Sequence, residues 1–267
     1  MRPRDAVRVG CVGAGHIARA LGRGWARPEV SQPPRLTYLD VSAEAAAHAA
    51  ADTGASLAAS LPDLIATSDV VVVAVRPQHV AGVLAEAGPL LGDRPLVSVA
   101  AGVPLAELRA ALPGDARVAR VMPNVAAALG LGVFLFVPGT LAERTAEVGE
   151  LFALAGDVIE LDERDFDVAT AVAGCMPGML ALLVRDFGRA AERRGLAPDV
   201  ARRLAIAGVH GAAAVISHDG DPDAVIASAA TPGGMTAAAI AALEERDVAE
   251  AVALAVQAAA ERAKELA

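Results

Sequence analysis

The chain has 267 residues, 23 Lys and Arg against 32 Asp and Glu for a formal net charge of −9, and a composition that is 55% hydrophobic but only 3% aromatic. That length allows one large or two modest domains with a sizeable core, while the acidic balance and the scarcity of aromatic rings argue against a phosphate-tracking or base-stacking nucleic-acid binder. The longest unbroken apolar stretches, Val70–Val75 and Ala251–Val256 among them, fall short of the roughly 18–20 residues of a membrane span, and Arg8 with Gly13-Ala14-Gly15-His16 breaks any signal-peptide pattern, so a soluble cytoplasmic protein is expected.

Along the chain, short β-branched runs alternate with Ala-rich segments of helical length, the pattern of βαβ units around a parallel sheet. Strands are expected at Val7–Val12, Leu36–Leu39, Val70–Val75, Leu96–Val99, Val118–Val121, Val133–Val137 and Val158–Leu161, with helices at Ala43–Ala51, Val80–Ala87 and Leu141–Ala155. The unbroken apolar run at Val70–Val75 suits a central strand covered on both faces. After Leu161 the β-branched runs stop and helix-period segments take over: Met179–Arg194, ended by Gly195; Asp199–Ser217, opened by Pro198 and rich in small residues; and Val248–Leu266. The expected architecture is α/β, with a dinucleotide-binding domain at 1–161 and an all-helical domain at 162–267.

The first strand runs into Gly13-Ala14-Gly15-His16-Ile17-Ala18 and then a helix. Gly13 permits the tight turn, Gly15 lets a pyrophosphate approach the backbone, and Ala18 replaces a third glycine where helix and strand pack. The helix N-terminus behind the loop offers N–H groups and a positive dipole end to the phosphates. Asp40, at the end of the second strand about 20 residues on, is placed to bond the adenine ribose hydroxyls. A carboxylate there would repel the 2′-phosphate of NADPH, so NADH is favoured over NADPH. In the helical half, Thr231-Pro232-Gly233-Gly234-Met235-Thr236 precedes a helix expected at Ala237–Leu243, and Thr231 or Thr236 is able to cap it. Such a turn suits a carboxylate or phosphate.

Five ordered motifs resemble the pyrroline-5-carboxylate reductase family over nearly the whole chain: the Gly13–Ala18 loop, Ala74-Val75-Arg76-Pro77-Gln78, Ser98-Val99-Ala100-Ala101-Gly102-Val103, Arg120-Val121-Met122-Pro123-Asn124 and Thr231–Thr236. The resemblance implies a Rossmann domain, a helical domain through which subunits dimerise, active sites completed at the subunit interface, and reduction of the cyclic imine of 1-pyrroline-5-carboxylate to proline by hydride transfer from NAD(P)H. It further implies that Gly13, Ala14, Gly15, His16 and Ile17 hold the cofactor phosphates, and that Ala74, Val75, Arg76, Pro77, Ala100, Ala101 and Gly102 line the cofactor toward the nicotinamide. Gly233, Gly234 and Met235 would hold the substrate carboxylate through backbone N–H groups, with Thr231 in the same turn. Thr236 would hydrogen-bond the ring nitrogen as the catalytic residue, and an acid near Asp219 would face the substrate region.

The chain departs from the family pattern S-G-S-G-P-A-Y at Ala173-Gly174-Cys175-Met176-Pro177-Gly178-Met179, where two thioethers replace a glycine and an aromatic ring. Met176 is therefore a candidate substrate neighbour, and a related imine reductase acting on a modified ring is a second reading. A non-catalytic dinucleotide-binding regulator is a third, disfavoured by the second glycine turn. Cys175 has no neighbouring base and is expected to be a small buried thiol, and His210 to pack between helices. Two cysteines without a paired-ligand spacing imply no metal site and no disulfide framework.

Overall fold

The computed structural model describes residues 6–265. Eight strands form one sheet: β1 (Arg8–Val12), β2 (Arg35–Leu39), β3 (Ser56–Leu57), β4 (Val70–Val73), β5 (Leu96–Ser98), β6 (Val118–Met122), β7 (Gly132–Val137) and β8 (Gly156–Glu160), in the order β3-β2-β1-β4-β5-β6-β7-β8. Helices α1 (His16–Trp25), α2 (Ala43–Thr53), α3 (Leu61–Ala66), α4 (Pro77–Leu91), α5 (Leu105–Ala110), α6 (Thr145–Ala153) and α7 (Phe166–Ala169) accompany it. By compactness the chain divides into Met1–Cys175 with Ala259–Ala267, and Met176–Ala258.

Period-2 alternation along the strands divides the core between the two faces of the sheet. Val70 and Val72 of β4 pack with Trp25, Tyr38, Phe134 and Phe152 on one face, whereas Val71 and Val73 pack with Leu64, Val80, Leu84 and Leu108 on the other. All four valines are fully buried, each worth about 1.5–3 kcal/mol as an upper estimate. Five of the chain's seven aromatic rings lie on the first of these faces: the Trp25 indole N–H donates to the Leu151 carbonyl at 2.9 Å, and Phe152 lies edge-on to Trp25 and tilted against Phe134.

The sheet is parallel with one exception, β7 against β6. Residues 123–131 fold as a 3₁₀ turn, Val125–Leu129, closed by Gly130 at φ 72°, too short for the dozen or so residues of a parallel crossover. The chain therefore doubles back, and Asn124 holds the corner: its Oδ1 accepts from Ala126 N and Val133 N, and its Nδ2 donates to Ala173 O. The helix expected at Leu141–Ala155 breaks into a 3₁₀ turn, Ala142–Arg144, and α6, and β4 stops at Val73, two residues short of the expected Val75.

Five helices follow: α8 (Met176–Glu192), α9 (Pro198–Asp219), α10 (Pro222–Ala229), α11 (Met235–Glu244) and α12 (Val248–Glu265); Leu266, the expected end of the last, lies outside the described residues. Gly195 at φ 95° and Gly220 at φ 72° supply the left-handed turns after α8 and α9. Pro222 and Asp223 open α10, because Asp221 caps it by accepting from Asp223 N at 3.0 Å. Two helical stretches, Glu163–Glu192 and Pro198–Asp219, are long and apolar enough to cross a membrane by length and composition. Both stretches include polar or charged residues, and so exceed the unbroken apolar runs, which stay short.

Candidate functional site

Register places three strand ends side by side, since Val12 pairs with Val73 and Val73 with Ser98. The ladder runs one residue further, with Ala74 N donating to Val12 O and Val99 N to Val73 O. Between β1 and β4 the order of connections reverses, which opens the crevice where α/β sheets take their ligands. Around it stand Gly13, Ala14 and Gly15 after β1, Ala74, Val75 and Arg76 after β4, Ala100, Ala101 and Gly102 after β5, and Asp40 after β2.

The two glycines of the first loop are glycines for different reasons. Gly13 sits at φ +100°, and a Cβ there would lie 2.6 Å from the Ala74 carbonyl oxygen. Gly15 is in extended backbone, and a Cβ there would meet no protein atom within 4 Å. No described atom demands glycine at 15, and the open space there leaves room for a pyrophosphate to lie close to the backbone. Gly15 also starts α1 without a side-chain cap and with no acid in the first turn. The N–H groups of His16, Ile17 and Ala18 have no protein acceptor among the described residues, which leaves them to an anion. Ala18 is buried, with the Tyr38 hydroxyl donating to its carbonyl at 3.0 Å.

Asp40 is half-buried, and both its oxygens are engaged: Oδ2 accepts from Ala14 N and Oδ1 from Ser42 N, each at 2.8 Å. The carboxylate is thereby anchored to the glycine loop instead of swinging freely at the strand end. His16 and Arg76 are exposed at the starts of α1 and α4, and Pro77 takes the first helical position of α4. Beneath the loop, burial pushes the Cys11 thiol up to about 12, with the Asp40 charge adding to the effect. Cys11 is therefore an inert packing residue.

In the helical unit, Gly233 at φ 72° shapes a turn that Gly234 N closes on Thr231 O at 2.9 Å. Helix α11 begins at Met235, two residues earlier than expected, with Gly234 as a cap that has no side chain to offer and no acid in the first turn. Neither Thr231 nor Thr236 caps it, because Thr236 already lies inside the helix. Gly234 spends its own N–H on the turn, while those of Met235 and Thr236 have no protein acceptor among the described residues. Met235 is 92% exposed. Asp219 and Met176 stand elsewhere, at the last turn of α9 and the first of α8, both exposed, and no hydrogen bond joins either to the turn.

Leading into α8, Thr170–Gly174 forms a π-helical turn in which Cys175 N reaches back to Thr170 O at 3.2 Å. No local sequence rule announces such a turn, and they recur near functional sites. Cys175 is exposed in the single chain, not buried as expected. His210 is likewise exposed, lining a groove of about 710 Å³ between α8 and α9 with Leu180, Val184, Ile206 and Val209.

Residues 163–266 match the family described as pyrroline-5-carboxylate reductase dimerisation, and residues 8–102 the family of coenzyme F420-dependent NADP oxidoreductases. The chain is 33% identical to a pyrroline-5-carboxylate reductase of Arabidopsis thaliana, covering 99% of this chain and 97% of that protein. It is 32% identical to one of Pseudomonas aeruginosa, over 97% of each. Among solved structures, a pyrroline-5-carboxylate reductase of Coxiella burnetii matches with a TM-score of 0.89 at 25% identity, covering 98% of this chain and 99% of that one. The Plasmodium falciparum pyrroline carboxylate reductase, solved with NADP bound, matches with a TM-score of 0.85 at 25% identity over 98% of each.

Proposed function

The chain belongs to the pyrroline-5-carboxylate reductase family, and from that premise we propose that it reduces the C=N bond of 1-pyrroline-5-carboxylate to L-proline with NAD(P)H. The observation that carries the reading is the second uncapped glycine start, Gly233-Gly234 before α11, in a chain that already has one at Gly15. One anion-binding helix start serves the cofactor phosphates, and the other serves a substrate that carries a carboxylate. A binding module for the dinucleotide alone has no use for the second.

The bound nicotinamide supplies hydride. Gly15, His16, Ile17 and Ala18 hold its pyrophosphate, and Ala74, Val75, Arg76, Pro77, Ala100, Ala101 and Gly102 line the side toward the ring. The carboxylate of the imine is received by the free N–H groups of Met235 and Thr236 beside Gly233. Gly234 keeps the turn in shape instead of donating to the ligand, because its N–H is taken by Thr231. A protonated cyclic imine is already electrophilic at carbon, so the residues chiefly orient it and hold it still. The Thr236 hydroxyl accepts the N–H of the ring nitrogen and orients it, without acting as a base, and the amine formed takes its final proton from solvent.

Asp40 favours NADH. Two unit charges about 5 Å apart at an effective dielectric of about 20 repel by about 3 kcal/mol, enough to disfavour the 2′-phosphate of NADPH after screening. Residues 1–161 are assigned to cofactor binding, and 162–267 to dimerisation and substrate binding, in a cytoplasmic homo-oligomer. The long apolar helices fit that assignment, because their exposed Leu183, Phe187, Leu204 and Leu254 call for a second copy. Met176 and Met179, where the family has a small and an aromatic residue, favour one further reading, a substituted ring as substrate.

The test follows NADH and NADPH oxidation with 1-pyrroline-5-carboxylate and a panel of substituted cyclic imines. Turnover with the unsubstituted ring is expected; turnover confined to a substituted one replaces the proposed substrate. Thr236→Ala is expected to lower kcat about 10-fold with NADH affinity unchanged, and an equal loss of both refutes its assigned role.

A further inference from the structure

Arg120, in the middle of β6, is only 4% exposed, and its partners come from a segment 43 residues further on. Its Nη1 donates to Glu163 Oε1 at 2.7 Å, and its guanidinium lies 3.8 Å from the centre of the Phe166 ring. The same Glu163 oxygen accepts the N–H of Leu105 at 2.9 Å. Leu105 is the first residue of α5, whose own cap, Pro104, has no side-chain hydrogen bond to offer. One carboxylate oxygen thus ties β6 to the point where the loop Ala100–Pro104 becomes helix.

The pair is costly to keep. Arg120 Nε and Glu163 Oε2 are both buried without a partner among the described residues, and although the Glu163 side chain is 34% exposed, desolvation offsets part of the attraction, so the pair adds little as a mere tether. What an apolar pair lacks is a directed acceptor for the Leu105 N–H. The carboxylate supplies that acceptor, and the guanidinium above Phe166 fixes where it stands.

We propose that Glu163, held by Arg120 and Phe166, is a positioning residue that sets the loop Ala100–Pro104 and through it the nicotinamide half of the cofactor. The proposal rests on the reading above that Ala100–Gly102 line the nicotinamide. The adenosine and pyrophosphate half engages the Gly13–Ala18 loop and Asp40, to which Glu163 makes no hydrogen bond. Glu163 therefore acts on one half of the dinucleotide and spares the other. A shift of the loop by about 1 Å costs up to about 100-fold in transfer rate.

The test compares the affinity of the full chain for ADP-ribose, which lacks the nicotinamide, with its affinity for NADH, and measures turnover alongside. In Glu163→Ala, ADP-ribose affinity is expected within about 2-fold of wild type, NADH affinity weakened about 10-fold, and kcat lowered about 10- to 100-fold. Glu163→Gln keeps an oxygen for the Leu105 N–H, and is expected to return the ratio of the two affinities to within about 3-fold of wild type. Equal weakening of both ligands, or an unchanged ratio in Glu163→Ala, overturns the proposal. Should Glu163→Ala fail to fold, Arg120→Lys keeps the charge but loses the planar fork, and the same shift in ratio is required of it. A wild-type chain that binds both ligands but reduces no cyclic imine refutes the proposed reaction, while the ratio still decides the role of Glu163.

Discussion

Both halves of the chain are rich in Ala, Val and Leu, yet they spend these residues in opposite ways. Up to Cys175 the sheet buries apolar residues on both faces, and Trp25, Tyr38, Phe134, Phe136, Phe152 and Phe166 are all within its cores. From Met176 to Ala258 only Gly188 and Ala201 are buried, and Phe187 is 59% exposed. A sheet with helices on both faces completes its own core, whereas long helices that leave large apolar side chains exposed must find another surface. Residues of the same kind therefore report on folding in the first unit and on assembly in the second.

The largest expected effect separates the two. Trp25→Ala removes a buried ring and its bond to Leu151 O and is expected to cost about 3–5 kcal/mol in urea unfolding. Phe187→Ala is expected to leave unfolding of the first unit unchanged but to raise the monomer fraction in sedimentation at a fixed protein concentration. A monomer fraction equal to that of the wild type breaks the contrast.

Next come the glycines of the Gly13–Ala18 loop, proposed to hold the cofactor. Gly13→Ala meets both an unfavourable φ and the Ala74 carbonyl, so NADH affinity and the melting temperature should fall together. Gly15→Ala meets open space, so NADH affinity should fall about 10-fold or more with the melting temperature unchanged. Fluorescence titration with NADH and a thermal melt check both.

A smaller effect is expected at Asp40. Asp40→Ser removes the charge and is expected to move the ratio of kcat/KM for NADPH over NADH by about 10-fold toward NADPH; a ratio that does not move shows that the ribose is read elsewhere. The smallest lies at the exposed cluster in which hydrogen bonds from Arg23 and then Arg19 hold the Asp52 carboxyl down to about 2. A depressed folded value stabilises above the ordinary carboxylate range and is lost as pH falls toward 2. In Asp52→Asn the stability difference from wild type should vanish near pH 2 and stay small at pH 7, because the pairs face solvent.

Much of this was legible locally. The valine run of β4, the strand before Gly13 and the helix after it, and Gly195 with Pro198 between α8 and α9 are all decided by neighbours within a few residues. The short elements were less so. Helix α3 carries a usable signal in Ser60, whose hydroxyl accepts from Asp63 N, but α5 has no side-chain cap of its own, and its cap arrives from Glu163 instead. The antiparallel β7, the π turn before α8 and the exposure of Cys175 leave no local trace, since each depends on connection length or on what covers a helix.

By itself, then, the sequence determined the two glycine turns, the change from strands to helices, and an acid at the end of the second strand, because backbone freedom and hydrophobic period are properties of short stretches. Only the tertiary structure decided which N–H groups at the two helix starts have no protein acceptor among the described residues, which carboxylate oxygens are already taken, and that Arg120 meets Glu163. Hydrogen bonds and buried charges are settled between residues far apart in the chain, where burial makes each partner count.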